Sequence, residues 1–281
     1  MLPDKRETNM FYKLSDVLAY YQTYCLTGKH KYQSRLAHLR YFDVYALSEI
    51  KRVHIRQYAL TRSESVKYAT VNRELSFARA AINAVNRDYE LTINNPFANI
   101  KFTEADFMPV YLSPDDVNKL LEAALVYDNQ PLHDFIQLLV MTGCRPIELL
   151  TLTWDNVYLD KRQFIVRNHF SKSKRTMYKY LNDTALEVLS GMPRLGSHVF
   201  TNAKTGKPYQ SFVKSFARCK QRAGVKCRLY DLRHTYASWL VQGGVPIYTV
   251  KGLLGHRDIA STERYAHLDY SNYLNALSKI G

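Results

Sequence analysis

Four side chains in this sequence carry the means for phosphate chemistry: Arg145 in TGCRPIEL, Arg233 in YDLRHTYASWL, His256 in LLGHRDIAS and Tyr265 in TERYAHL. A guanidinium stays protonated at physiological pH and presents a planar set of donors that fits two oxygens of a phosphodiester. A pair of them can neutralise charge building on a transferring phosphoryl group. A tyrosine hydroxyl can attack phosphorus and hold the product as a covalent ester. Each residue also has a plainer use. An arginine at a helix end commonly caps carbonyls, and any one of 22 tyrosines is by default a core or surface residue. Glu148, three residues after Arg145, reads as structural, because a carboxylate there can orient the guanidinium through a bidentate pair and would repel phosphate if left unpaired.

The motifs occur in a fixed order: TGxR followed by Glu148, a basic hairpin FSKSKRTMYKYL, an LRHT box, an LGH box and a YxH tail. Each is weak alone; in this order they resemble the tyrosine recombinase family of the phage integrase type. The resemblance covers the C-terminal two-thirds with ordered motifs and the N-terminal part more loosely. It implies that Arg145 and Arg233 are the two catalytic arginines, that His256 helps to hold the scissile phosphate, and that Tyr265 is the nucleophile. It also implies a lysine in the sheet's hairpin as general acid. Lys172 matches that place best, with Lys174 as runner-up. The family motif before the second arginine is HxLR, whereas this chain has Tyr230 at the histidine's position. With an ordinary pKa of about 10, a phenol accepts protons poorly at neutral pH, so Tyr230 is expected to hydrogen-bond phosphate or nucleophile rather than act as a base. His234, next to Arg233, diverges from it by about 100° on a helix and is expected to pack.

The implied reaction is transesterification: Tyr265 attacks in line, Arg145 and Arg233 stabilise the equatorial oxygens, Lys172 protonates the leaving 5′ oxygen, and a 3′-phosphotyrosine remains. Nearby arginines are expected to favour the Tyr265 phenolate. No carboxylate cluster of metal-ligand type and no GxxxxGK loop occur, so neither a metal nor a nucleotide cofactor is expected. Implied partners are a double-stranded DNA recombination site, a homotetramer on paired DNA sites and, as a further option, accessory DNA-bending proteins. Alternative readings are a catalytically impaired DNA-binding member of the family, for which Tyr230 is the warning sign, and a Xer-like chromosome or plasmid resolvase. A type IB topoisomerase uses similar chemistry, but the two-domain layout favours recombination.

These residues need elements to position them. At 281 residues the chain has room for one large or two moderate domains. A formal charge of +14 and a pI near 9.5 point to a polyanionic partner. Four scattered cysteines, Cys25, Cys144, Cys219 and Cys227, form no CxxC pair and read as reduced, buried thiols. Cys144 adjoins Arg145, where a cation can lower a thiol pKa, but a small apolar filler is the better reading. The charged start MLPDKRETNMF is no signal peptide and no run of about 18 apolar residues spans a bilayer, so a cytoplasmic, nucleoid-associated protein is expected.

The fold class expected is mainly α (α+β). Residues 1–100 read as a helical core-binding domain: Leu14, Val17, Leu18 and Tyr21 recur at helical spacing, as do Val71, Leu75, Ala78 and Ile82, and Ser48-Glu49-Ile50 is expected to open a shorter helix between them. The string NNPFANIKF breaks the pattern, giving a linker at 101–110. Residues 111–281 read as the catalytic domain, opened by Ser113 as N-cap with Pro114 behind it. The helix DFIQLLVMT should end at Gly143, and alternation between Trp154 and Asp183 predicts a small antiparallel sheet. About ten residues precede the first helix, so the arm-binding domain of many phage integrases is expected to be absent or to lie outside this sequence. Tyr270, Tyr273, Leu274, Leu277 and Ile280 form an apolar stripe suited either to docking on a neighbouring subunit or to packing on their own domain.

Overall fold

The computed structural model describes residues 11–26, 32–104, 108–126, 129–167, 176–270, 274, 277 and 278. The chain divides between residues 106 and 107 into two units, each with its own buried core.

The first unit is helical. Helix α1 (Leu14–Tyr20) runs into a π turn, Tyr21–Cys25, and is followed by α2 (Gln33–Leu39), α3 (Arg52–Ser63) and α4 (Tyr68–Asp88). Val71, Leu75, Ala78, Ile82 and Val85 are buried along one face of α4, against Leu14, Val17 and Leu18 of α1 and Ile55 of α3; their spacing of three and four residues is the signature of a single apolar stripe. Glu74 is buried on the same helix but fully met: Tyr58 Oη donates to Oε2 at 2.7 Å and Arg62 donates to Oε1 at 3.1 and 3.3 Å, as a buried carboxylate requires. The short helix expected to open at Ser48 is a single 3₁₀ turn, Leu47–Glu49. Ile50 turns extended (ψ 114°) and buries its side chain in the core, so the helix starts only at Arg52.

The second unit carries the four chemistry-bearing residues. Ser113 Oγ accepts the Asp116 amide (3.1 Å) and Pro114 fills the first position of α5 (Pro114–Leu125), satisfying one orphan amide and removing another. Helix α6 (Gln130–Thr142) buries Leu132, Phe135, Ile136, Leu138 and Leu139 and stops at Gly143, whose φ is +59°. After α7 (Pro146–Leu150) comes a three-stranded antiparallel meander, β1 (Val157–Tyr158), β2 (Gln163–Arg167) and β3 (Thr176–Tyr180), in which Val157 faces Phe164 and Ile165 faces Tyr178. Helices α8 (Asp183–Gly191), α9 (Val213–Ala223), α10 (Asp231–Gln242), α11 (Ile247–Leu254) and the single turn α12 (Ala260–Glu263) complete it. Helices α5 and α10 both pack on α6. Helix α10 takes polar residues into the interior, with Asp231, Arg233, His234, Thr235 and Ser238 all buried. Of the C-terminal stripe, Tyr270, Leu274 and Leu277 are exposed; Tyr273 and Ile280 lie outside the described residues.

Candidate functional site

Arg145 stands between α6 and α7, with its side chain one-third exposed. Glu148 holds it twice: Oε2 accepts the Arg145 amide at 2.8 Å and Oε1 accepts a guanidinium N–H at 2.6 Å. The carboxylate thus fixes both backbone and side chain, a charge-assisted arrangement that sets the direction of the fork. Burial opposes the charge on Arg145, but the bond and charge of Glu148, assisted by the Tyr230 hydroxyl, raise its pKa above the ordinary value.

Arg233 is 1% exposed. One Nη donates to Gly143 O at 2.6 Å and the other to Leu254 O at 2.9 Å, so a single guanidinium ties α10 to the ends of α6 and α11. Carbonyls at helix C-termini lack intrahelical partners and carry negative partial charge, which makes them natural acceptors for a cation. Lys179, on the inward face of β3 and 2% exposed, does the same one residue earlier: its Nζ donates to Leu253 O at 2.6 Å. Burial lowers the pKa of both Arg233 and Lys179, and the Arg145 charge adds to the effect on each.

Two glycines permit these approaches. At Gly143 a Cβ would lie 2.3 Å from Tyr236 Cδ1, and at Gly255 (φ +68°) it would lie 2.2 Å from Met177 Sδ. Both positions need the left-handed region and have no room for a side chain. Gly255 delivers His256, whose Nδ1 is 2.8 Å from Thr262 Oγ1. Burial, followed by the charges of Arg233, Arg145, Arg264 and Lys179, pushes the His256 pKa down to about 4, leaving a neutral imidazole.

Tyr265 follows α12 and is 1% exposed. Its Oη lies 2.5 Å from Nδ1 of His234. Sequence reasoning gave His234 a packing role; the structure buries it against the Tyr230 and Tyr265 rings and adds the contact with the phenol, which the sequence did not reveal. The arginine effect expected at Tyr265 is present, but it does not prevail. Arg233 and Arg264 pull the Tyr265 pKa down, but burial outweighs them and pushes it up to about 12, so the residue is a phenol at neutral pH. Tyr230 caps the start of α10, is 42% exposed, and sets its ring edge-on to His234 with centroids 5.2 Å apart. Arg233 therefore lies within electrostatic reach of Arg145, Tyr230, His256 and Tyr265. Cys144 is fully buried, and burial raises its pKa, so it fills space and is not an activated thiol. Lys172 and Lys174 lie outside the described residues. Among the described residues no group of three or more His, Cys, Asp and Glu side chains is placed to hold a metal, and no helix is long and apolar enough to cross a membrane.

The second unit is thus a mainly helical domain with a three-stranded antiparallel meander, and its helices and helix ends carry Arg145, Arg233, His256 and Tyr265. Residues 110–272, more than half of the chain, match the phage integrase family. The chain belongs to that family. It is 27% identical over 238 residues to the integrase of Salmonella phage P22, covering 79% of this chain and 60% of that protein. It is 29% identical over 222 residues to the integrase of Haemophilus phage HP1, covering 79% and 62%. With the tyrosine recombinase XerC of Lactobacillus delbrueckii it shares 25% identity over 238 residues, covering 78% and 79%. The chain thus spans about three-fifths of the length of the two phage integrases. Its fold is shared with the Tn1549 transposon integrase solved in complex with a circular intermediate DNA, at a TM-score of 0.77 and 18% identity over 95% of this chain and 99% of that one. It is shared also with a lambda integrase tetramer bound to a Holliday junction, at 0.72 and 19% over 90% and 77%.

Proposed function

We propose that this chain is a site-specific DNA recombinase of the integrase type, which cuts and rejoins DNA through a 3′-phosphotyrosine. The observation that carries the reading is that buried Arg233 lies close enough to Arg145, His256 and Tyr265, all from different elements, to act on the charge of each. Tyr265 is the nucleophile. Arg145 and Arg233 neutralise the charge that develops on the nonbridging oxygens, and His256, a neutral donor held by Thr262, binds one of them. Lys172 supplies the proton for the departing 5′ oxygen. Tyr230, beside Arg145, donates to the phosphate. The substrate is a double-stranded recombination site, in keeping with the net charge of +14 and with the DNA in the solved Tn1549 and lambda structures. The working assembly is a homotetramer on paired sites, as the lambda tetramer suggests, with residues 1–100 as a core-binding domain, residues 111–281 as the catalytic one, and the cytoplasm as the compartment. A Xer-like resolvase is the second reading; the XerC match covers 79% of that protein's length against 60% for the P22 integrase.

The test uses nicked suicide duplexes drawn from the junctions that flank the gene. The wild-type chain should leave an SDS-resistant protein–DNA band. Tyr265→Phe should shift the same duplex with unchanged affinity and leave no band, because only the attacking oxygen is gone. A band that persists in Tyr265→Phe overturns the assignment of the nucleophile.

A further inference from the structure

Building on the recombinase reading, we propose that His234 is the proton acceptor for Tyr265, standing in for the imidazole that the chain lacks at position 230. Nδ1 and Oη are 2.5 Å apart, within reach for direct proton transfer. His234 is 4% exposed and Tyr265 1% exposed, so bulk water does not compete for the proton. Positions four apart on a helix share a face. A group at 234 therefore lies beside one at 230, which is why the Tyr230 ring meets the His234 ring at 5.2 Å.

The electrostatic surroundings keep the imidazole free of a second proton. Burial, with the charges of Arg264, Arg228 and Arg233 and against that of Asp231, lowers the His234 pKa to about 4. At neutral pH the imidazole is therefore unprotonated, and Nδ1 can accept from the phenol. Tyr265, held up to about 12 by burial, keeps its proton until attack begins. Full transfer beforehand would be far uphill; the proton moves as the Oη–P bond forms and the phenol oxygen loses its basicity. In the forward step Oη–P forms, P–O5′ breaks, the Tyr265 proton goes to His234 Nδ1 and Lys172 protonates O5′. In religation a 5′ hydroxyl attacks, its proton returns to Lys172, and the imidazolium gives its proton back to the departing Tyr265 oxygen.

Single-turnover cleavage of the suicide duplex by wild type, His234→Ala and His234→Asn tests the proposal. His234→Asn keeps a hydrogen-bonding atom near the Nδ1 position without a usable base and serves if the alanine variant fails to fold. Both variants should bind DNA as wild type does and cleave roughly 100- to 10,000-fold more slowly, the range of a general base. Added imidazole should restore part of the rate in His234→Ala, and the variants' rates should rise with hydroxide where wild type is flat. If either folded variant cleaves as fast as wild type or faster, His234 only packs against or latches Tyr265, and the proposal fails while the recombinase reading stands. If wild type binds the duplex and forms no adduct, the recombinase reading fails and takes this inference with it.

Discussion

Replacing Gly143 by alanine tests how the site is anchored. The residue has φ +59°, and an added Cβ would sit 2.3 Å from the Tyr236 ring. The left-handed conformation costs a non-glycine residue about 1–2 kcal/mol, and overpacking against a ring costs about 1–3 kcal/mol more. Gly143→Ala should therefore destabilise the second unit by about 2–5 kcal/mol. The chain's two tryptophans, Trp154 and Trp239, both lie in that unit, so their fluorescence in urea follows its unfolding without interference from the first. In a Tyr236→Ala background the clash is gone and only the backbone part, about 1–2 kcal/mol, should remain. Because the Gly143 carbonyl receives Arg233, the single variant should also cleave more slowly than wild type at temperatures where both are folded, as small misplacements of catalytic groups do. A change under about 0.5 kcal/mol, or an undiminished cost beside Tyr236→Ala, refutes the reasoning.

Three other outcomes follow from the same geometry. Tyr230→Phe removes one hydrogen bond to a charged group, worth about 1.5–3 kcal/mol, and should slow adduct formation about ten- to a hundred-fold without abolishing it; an unchanged rate would show that the hydroxyl is idle. His234 and His256 have folded pKa values of about 4 against an ordinary 6.5, so between those values the unfolded chain binds protons that the folded chain refuses. Stability is then complete above pH 6.5 and falls as pH drops toward 4, and in urea unfolding followed by tryptophan fluorescence His234→Asn should lose about one proton's worth of that slope, about 1.4 kcal/mol per pH unit; an unaltered slope would mean that the buried imidazole is already charged. Nonspecific DNA affinity, measured by fluorescence anisotropy, should fall with salt at a log–log slope of about −0.9 for each phosphate neutralised, and a slope near zero would place the basic surface away from DNA.

Much of the positioning was legible from local signals. Ser113-Pro114 announced α5 and Gly143 announced the end of α6, because caps and left-handed glycines act within a few residues. The order of Arg145, Arg233, His256 and Tyr265 along the chain carried the candidate site, and the Arg145–Glu148 bond spans only three positions. What stayed hidden depends on contacts distant in sequence. His234 meets Tyr265 31 residues away, and no helical-wheel argument on α10 alone reveals what approaches its face. Lys179 occupies an inward position of β3; the alternation in TMYKYL assigns it that side, but its partner, a helix-end carbonyl 74 residues on, is tertiary. The Tyr265 pKa went the other way from expectation because charge is readable in sequence and burial is not.

The end of α11 bears on how loss-of-function variants should be interpreted. Its last two carbonyls are taken by Lys179 and Arg233, side chains from a strand and from another helix. Alanine at Arg233 would strip the hydrogen-bond donors from two helix ends at once and leave interior carbonyls bare, at about 1–3 kcal/mol each. An inactive Arg233 variant is therefore ambiguous between lost chemistry and lost architecture. Tyr265→Phe, which alters a single atom at the end of a buried ring, makes the cleaner inactive reference for binding and assembly, and the arginine variants are best compared against it by thermal melt before any rate is assigned to phosphate recognition.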